Sequence, residues 1–263
     1  MPLLVLKLVL TPLIVGGASI ASRRWGPAVG GWIVSLPLTS GPVLFFLALG
    51  SGPEFAAEAA TGTLLGMAGI CGFTLGYLAL SRRGPLAAFL LASLCYVGVA
   101  LVVQPVLGWP FALLAALVVA AITGTLRVLP APLGTGPAVH PRWDLPARII
   151  IGTALVVTLT AIAPLLGPTT SGLVATFPVY VSILAVFEHL RTGRDGALST
   201  LRGLMTGLYG TVSFYVAVHY LVVPYGIAVA FGVAIGAALV IGWIALRVLR
   251  ATMAVPPPEP ESV

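Results

Sequence analysis

Residues 26–73 read GPAVGGWIVSLPLTSGPVLFFLALGSGPEFAAEAATGTLLGMAGICGF, and residues 167–214 read GPTTSGLVATFPVYVSILAVFEHLRTGRDGALSTLRGLMTGLYGTVSF. Adding 141 to a residue number aligns the two stretches without a gap. The matches are mainly glycines, prolines and phenylalanines: Gly26-Pro27 with Gly167-Pro168, Gly31 with Gly172, Pro37 with Pro178, Phe46 with Phe187, Gly52 with Gly193, Gly62 with Gly203, Gly66 with Gly207, Gly69 with Gly210 and Phe73 with Phe214. Glycines that match at non-uniform spacing are not expected from shared hydrophobicity alone, so the sequence predicts an internal duplication.

Both stretches belong to a chain that is too apolar for a water-soluble domain. Of its 263 residues, 59% are hydrophobic and 8% are charged, and the mean hydropathy is +1.11. A soluble domain carries about 25% charged residues, which this chain lacks for a water-facing surface. The composition therefore predicts an all-α integral membrane protein. Cys71 and Cys95 both lie in apolar runs, which indicates neither a disulfide framework nor a metal site.

Nine apolar runs, each bounded by glycine, proline or charge, approach the roughly 20 residues that a membrane-spanning helix needs. They lie at 2–22, 28–49, 56–80, 86–106, 109–129, 148–166, 170–190, 198–222 and 225–247. Gln104-Pro105 and Gly108-Trp109-Pro110 divide the fourth run from the fifth. The proline-rich stretch Pro130–Pro146 is predicted to be a loop, and the tail from Val255 is predicted to be disordered.

Basic residues fall on alternate connections between these runs. The arginines that follow runs 1, 3, 5, 7 and 9 are Arg23, Arg24, Arg82, Arg83, Arg127, Arg142, Arg148, Arg191, Arg194, Arg202, Arg247 and Arg250. The four intervening connections carry neither arginine nor lysine. Because cytoplasmic connections retain Lys and Arg during insertion, the N-terminus is predicted outside and the C-terminus in the cytoplasm. Lys7 is the one exception, and a lysine near a helix end can reach the interface.

The repeat and the charges together predict an inverted topology. Runs 1–4 correspond to runs 6–9, so five spans separate equivalent positions and the second copy is upside down. The predicted organisation is a first four-helix unit (1–107), a connecting helix with its proline-rich loop (108–147), a second, inverted four-helix unit (148–250) and a disordered cytoplasmic tail (251–263).

Two prolines, Pro37 and Pro178, each fall near the centre of their spans and are aligned by the repeat. Proline removes a backbone donor and crowds the carbonyl four residues before it, so both helices should kink or unwind at mid-membrane. Paired broken helices are the best sequence indication of a transport site, and their free amides favour an anionic group. The predicted substrate-binding residues are Ser35, Pro37, Thr39, Ser40, Gly41, Thr176, Pro178, Tyr180 and Ser182.

Each of these features also has a structural interpretation. A proline kink is tolerated in membrane helices when neighbouring helices satisfy the freed backbone groups. The glycine stripes in the third and eighth runs are assigned to close helix packing. Glu188 and His219 are candidate proton relays, but both lie near an interface where water can solvate them.

The segment from Gly172 to Pro178, the turn from Glu188 to Gly193, and Leu201-Arg202-Gly203 resemble the GlpM-like small bacterial inner-membrane proteins. Those are four-helix proteins of one unit, associated by name with alginate production. The first half, with its Leu-Pro-Leu-Thr-Ser-Gly-Pro run, resembles uncharacterised membrane proteins that carry a fused pair of such units. The resemblance implies a multi-pass location in a bacterial inner (plasma) membrane and no particular substrate.

These observations favour a transporter or channel for a small solute, with an anion as one candidate. The alternative is a non-transporting accessory protein of an envelope polysaccharide or lipid pathway, and a third interpretation is a lipid-handling enzyme or flippase. No phosphate-cradling loop, catalytic triad or metal-ligand spacing is present in the sequence, so an enzyme is not expected. The expected partners are the lipid bilayer, an unknown small solute and, as a further candidate, a second copy of the chain. Neither a cofactor nor a nucleic acid is expected.

Overall fold

In a computed structural model, the protein is described over residues 2–130, 143–162 and 177–253. The regular elements in these ranges are helices, as the sequence predicts. In chain order they are α1 (Pro2–Trp25), α2 (Pro27–Ser35), α3 (Ser40–Ser51), α4 (Pro53–Leu80), α5 (Pro85–Val102), α6 (Phe111–Val128), α7 (Asp144–Ile162) and α8 (Val179–Met253). Two 3₁₀ turns, Ser81–Arg83 and Gln104–Gly108, follow α4 and α5.

The second of these turns separates α5 from α6 where the sequence predicts the division. Helix α7 begins at Asp144, inside the stretch Pro130–Pro146 that was predicted to be a loop. This earlier start places the Asp144 carboxylate in the first turn of α7.

Glycines with positive φ mark the junctions between helices in both halves. Gly52 (φ 97°) precedes α4, and its aligned partner Gly193 (φ 75°) interrupts α8. Gly84 (φ 109°) precedes α5, and Gly226 (φ 78°) interrupts α8 again. A residue with a Cβ rarely adopts this conformation, so glycine is required where the chain turns from one helix into the next. The two interruptions divide α8 into α8a (179–192), α8b (194–225) and α8c (227–253).

Five helical stretches in the described part of the chain are long and apolar enough to cross a membrane. They are Pro27–Ser51, Pro53–Arg83, Pro85–Val102, Phe111–Val128 and Val179–Ala251, the last of which contains all three segments of α8. The protein is therefore a multi-pass, all-α membrane protein. The count of nine spans and the inverted arrangement stay predictions.

Helix α2 packs along α8b with almost no space between the two backbones. A Cβ on Gly31 would collide with the Thr200 carbonyl, and a Cβ on Gly203 would collide with the Ala28 carbonyl. In α4, a Cβ on Gly69 would collide with the side-chain ring of Tyr96 in α5. Small residues allow this close approach in membrane helices, and Gly69 and Gly203 of the predicted stripes serve packing as expected.

Helices that the repeat aligns with one another run in opposite directions. Arg23 near the end of α1 is bonded to Asp144 at the start of α7, and Val15, earlier in α1, lies beside Gly152, later in α7, so these two helices are antiparallel. Thr61 lies beside His219 at one end of the α4–α8b pair. Arg194 donates to Ser81 at the other end of that pair. These contacts bring the arginine-bearing end of α1 to that of α7, and the arginine-bearing end of α4 to that of α8b.

Candidate functional site

The helix predicted to break at Pro37 does break there. Helix α2 ends at Ser35 and α3 begins at Ser40, within a single apolar stretch of 25 residues. Leu36 is extended (φ −61°, ψ 148°), as expected for a residue that precedes proline. Among the described residues, the amides of Thr39 and Ser40 donate no backbone hydrogen bond. The break therefore leaves backbone donors free at the start of α3.

Helix α8b supplies the side chains that face this break. The Thr211 hydroxyl donates to the carbonyl of Ser35, which the interrupted helix leaves without its usual amide. Phe214 lies against Gly41, its Cζ 3.4 Å from the position that a Cβ would take. The Tyr215 hydroxyl is buried, and the Ser40 hydroxyl lies next to it.

Pro178, where the second break is predicted, directly precedes α8, and the residues before Phe177 lie outside the described part of the chain. Phe177 and Pro178 are not helical, and α8a starts at Val179. The Ser182 hydroxyl donates to the carbonyl of Val179 (2.8 Å), and the Tyr180 hydroxyl lies 3.3 Å from that of Thr11 in α1. Thr176, the aligned partner of Ser35, lies outside the described residues.

Each break packs against a phenylalanine from the other half. Phe73 of α4 meets Phe177 edge to face, with centroids 6.2 Å apart, while Phe214 of α8b lies against Gly41. Phe73 and Phe214 are themselves aligned by the repeat. Within the described ranges, no hydrogen bond joins the residues of the first break to those of the second. A single pocket shared by both breaks therefore stays a prediction.

A second polar centre, made of buried charges, was not predicted as a site. The Arg23 guanidinium lies 2.7 Å from the Asp144 carboxylate. Arg148 lies 3.2 Å from Asp144 and 3.1 Å from Glu188. Arg191 lies 3.1 Å from Glu188, which also accepts a hydrogen bond of 2.8 Å from Ser22. These charged residues, Arg23, Asp144, Arg148, Glu188 and Arg191, are called the charge cluster below.

The charge cluster connects three helices that are distant in sequence. Arg23 comes from α1, Asp144 and Arg148 from successive turns of α7, and Glu188 and Arg191 from α8a. Arg148 is fully buried, and Asp144 and Glu188 are each 1% exposed. The Arg148 guanidinium also lies over the Phe187 ring, 5.1 Å from its centroid. The sequence predicts that the arginines of this cluster lie in connections between spans. The structure instead holds them inside the protein.

Asp144 is ionised in this setting. Burial by itself would raise the pKa of its carboxyl, but the hydrogen bond from Arg23 and the charge of Arg148 outweigh that effect and lower it below the ordinary value. Glu188 was predicted to be an interfacial group and a candidate proton relay. The structure instead holds it between Arg148 and Arg191, away from solvent.

His219, the other candidate relay, packs at the opposite end of α8b. Its Nδ1 lies 3.0 Å from the carbonyl oxygen of Ala57, so Nδ1 carries the proton and donates. The imidazole stacks on Phe111 with centroids 3.7 Å apart and an angle of 6° between the planes. One ring nitrogen and one ring face are therefore engaged in packing α8b against α4 and α6.

Sequence reasoning missed Asp144 and Arg148 because it assigned them to a loop and its flank. A signal was nevertheless present. Asp144 and Arg148 are spaced i, i+4 and Glu188 and Arg191 are spaced i, i+3, which places each pair on one helix face. In a chain with few acidic residues, two such pairs on the same predicted side of the membrane are candidates for contact.

No protein-family model, curated protein or solved structure matches this chain.

Proposed function

We propose that the chain is a membrane transporter or channel for a small solute, whose pathway passes the break between α2 and α3. One observation carries the proposal: an apolar span is interrupted at residues 36–39, directly beside the buried hydroxyl of Tyr215. Interrupted backbone at membrane depth is tolerated where it is buried in protein or lines a cavity. A solute bound there would accept hydrogen bonds from the backbone amides that the interruption leaves free.

The chemistry of the break suits a small polar or anionic solute. The start of α3 carries the positive end of a helix dipole, and the amides of Thr39 and Ser40 are available as donors. The hydroxyls of Tyr215 and Ser40, side by side at the break, are further polar groups that a bound solute could contact. The proposed site residues in this half are Ser35, Pro37, Thr39, Ser40 and Gly41. Pro178, Tyr180 and Ser182, together with Thr176, form the equivalent set in the second half.

The wider architecture proposed here is a pair of inverted four-helix units with nine spans. Two observations support it: aligned helices run antiparallel, and the aligned residues Gly52 and Gly193 both turn the chain at positive φ. We further propose that the arginine-bearing side faces the cytoplasm of a bacterial inner membrane. Relationship to the GlpM-like proteins is part of the same proposal.

The accessory role remains the rival function, and one observation favours it. Helix α2 packs on α8b at backbone contact distance, and the hydroxyls of Ser35 and Ser182 are bonded to their own helices. A closely packed interior of this kind suits a protein that supports an envelope pathway without conducting a solute.

Flux through proteoliposomes tests the proposal. Vesicles with reconstituted protein are loaded with small anions and polyols, and release is compared with protein-free vesicles. The variant Pro37→Ala restores a backbone donor and allows α2 and α3 to join, so it should abolish most of the flux. Pro12→Ala is the matched control, because α1 is continuous through Pro12. Absence of flux for every solute, or equal flux in both variants, would favour the accessory role.

A further inference from the structure

The ends of α1 and α8c meet at the start of α2. One buried apolar cluster joins the three helices and consists of Ala21, Ala28, Val29, Leu246 and Leu249. The indole of Trp32 in α2 also donates to the carbonyl of Gly242 in α8c, at 2.9 Å. Arg24 lies within one turn of the alanine from α1, and Arg247 and Arg250 each directly follow a leucine of the cluster. These three arginines are called the arginine junction below.

The arginine junction is a patch of positive charge without internal compensation. Its three arginines are exposed, and in the described part of the chain none of them forms an ion pair with an acidic side chain. Asp144 and Glu188 are engaged in the charge cluster, and Asp195 lies 3.6 Å from Arg194. The junction is therefore complementary to an anion from outside the protein.

Two tryptophans indicate the depth of the junction in the membrane. The guanidinium of Arg24 lies over the Trp25 ring, 5.4 Å from its centroid, and that of Arg247 lies over Trp243 at 4.6 Å. Both indoles are more than half exposed. Tryptophan is enriched at the membrane–water interface, where its ring lies at the level of the lipid headgroups. Stacking on these rings holds the two guanidinium groups at the same level, beside the lipid phosphates.

An apolar face extends from the junction along α8c. Val240, Ile244 and Val248 are each more than half exposed, and their spacing of four residues places them on one side of the helix. Arg247 lies on the same side, three residues after Ile244. A lipid whose headgroup is at the arginines can lay an acyl chain along this face. A water-soluble anion would contact the arginines alone, so the surface suits a lipid better.

We propose that the arginine junction binds the headgroup of an anionic phospholipid. Arg24 approaches its phosphate from α1, and Arg247 and Arg250 approach it from α8c. The guanidinium fork matches the paired oxygens of a phosphate, which gives the site its chemistry. A lipid held in this way connects the first helix of the described chain to the last. The inference does not depend on solute flux past the α2–α3 break.

Native mass spectrometry of the full-length protein in a neutral detergent counts bound lipids one at a time. The probes are dioleoyl phosphatidylglycerol, which is anionic, and dioleoyl phosphatidylcholine, which has the same phosphate and acyl chains but no net charge. The wild type should bind the first phosphatidylglycerol about tenfold more tightly than phosphatidylcholine. One arginine near a membrane surface contributes about fivefold, so Arg247→Gln should reduce the preference by about that factor.

A pair of double variants separates a built site from a general effect of charge. Arg24→Gln with Arg247→Gln should remove most of the preference for phosphatidylglycerol. Arg82→Gln with Arg83→Gln is the matched control, because it removes the same charge from exposed arginines that follow α4, and it should bind as the wild type does. Equal losses in the two double variants, or no preference in the wild type, would overturn the proposal. Should the first double variant fail to fold, Arg247→Gln compared with Arg82→Gln decides the question.

The carboxylates of Glu259 and Glu261 follow α8c in the sequence, lie outside the described residues and are tested as rival partners of the arginines. Glu259→Gln with Glu261→Gln should preserve the preference that the wild type shows. A preference that emerges only in this variant would assign the arginines to the tail and reject the lipid site.

Discussion

The Nη1 atom of Arg148 lies 3.1 Å from the Oε1 atom of Glu188, with both side chains removed from solvent. The two residues are 40 positions apart in the chain, and their ion pair connects α7 to α8a. A buried ion pair adds little stability when compared with well-packed apolar residues, but removal of one partner leaves a buried charge without compensation. The pair therefore has consequences that can be measured.

Replacing Arg148 with Met should destabilise the protein by about 3–5 kcal/mol, because it leaves the Glu188 carboxylate with reduced compensation. The double variant, Arg148→Met with Glu188→Gln, should cost less than the sum of the two single variants. Chemical or thermal unfolding in detergent, analysed as a double-mutant cycle, gives the coupling. Additive effects would show that the two side chains do not interact in the protein.

Acid should weaken the fold through Asp144, which precedes the predicted span beginning at residue 148. The pKa of its carboxyl is lowered from the ordinary value of 3.8, so the unfolded chain binds this proton more readily than the folded chain does. Its contribution to stability is complete well above pH 3.8 and is lost as the pH falls through the lowered pKa. Unfolding measured from pH 7 down to pH 3 should show this loss. Asp144→Asn should show a flatter profile over the acid range, and an unchanged profile would contradict the assignment.

The aligned glycines Gly62 and Gly203 should respond differently to the same substitution. A Cβ at Gly203 collides with the backbone of Ala28, whereas a Cβ at Gly62 meets nothing within 4 Å. Gly203→Ala should therefore destabilise the protein by about 1–3 kcal/mol through overpacking. Gly62→Ala should be neutral or slightly stabilising, because alanine favours the helix. Thermal unfolding of the two variants side by side checks this, and equal effects would show that α2 does not approach α8b so closely.

The two prolines should be equivalent in function if the halves share one site. Pro178→Ala is expected to lower solute flux by a factor similar to that of Pro37→Ala, with both variants still folded. Expression level and a monodisperse elution profile provide the folding control. A large effect at Pro37 with none at Pro178 would restrict the site to the α2–α3 break.

A C-terminal reporter tests the predicted orientation. An enzyme that is active only in the periplasm should be silent when it is fused after Val263, because the arginine-rich ends are predicted to be cytoplasmic. A reporter that is active only in the cytoplasm should give signal at the same position. The opposite pair of results would reverse the proposed topology.

Much of the fold follows from residues whose effect is local. Composition alone places the helices in a membrane, because a chain so poor in charge has no means of covering a water-facing surface. Proline ends α2 near Pro37 since it has no amide hydrogen and forces Leu36 out of the helical region. Glycine at 52 and 193 is required by the positive φ that turns one helix into the next. These effects act within a few residues, so a pattern in the sequence is sufficient to predict them.

Which side chains meet depended on packing between helices that are distant in the chain. The register of α1, α7 and α8a brings Arg23, Arg148 and Glu188 into one buried cluster, and no single segment contains that information. The same holds for the Tyr215 hydroxyl, which is buried beside Ser40. Long-range contacts arise from the shapes of whole helix faces. The sequence of one helix does not specify which turn of another helix it will face. Only the assembled structure therefore determined these two polar centres.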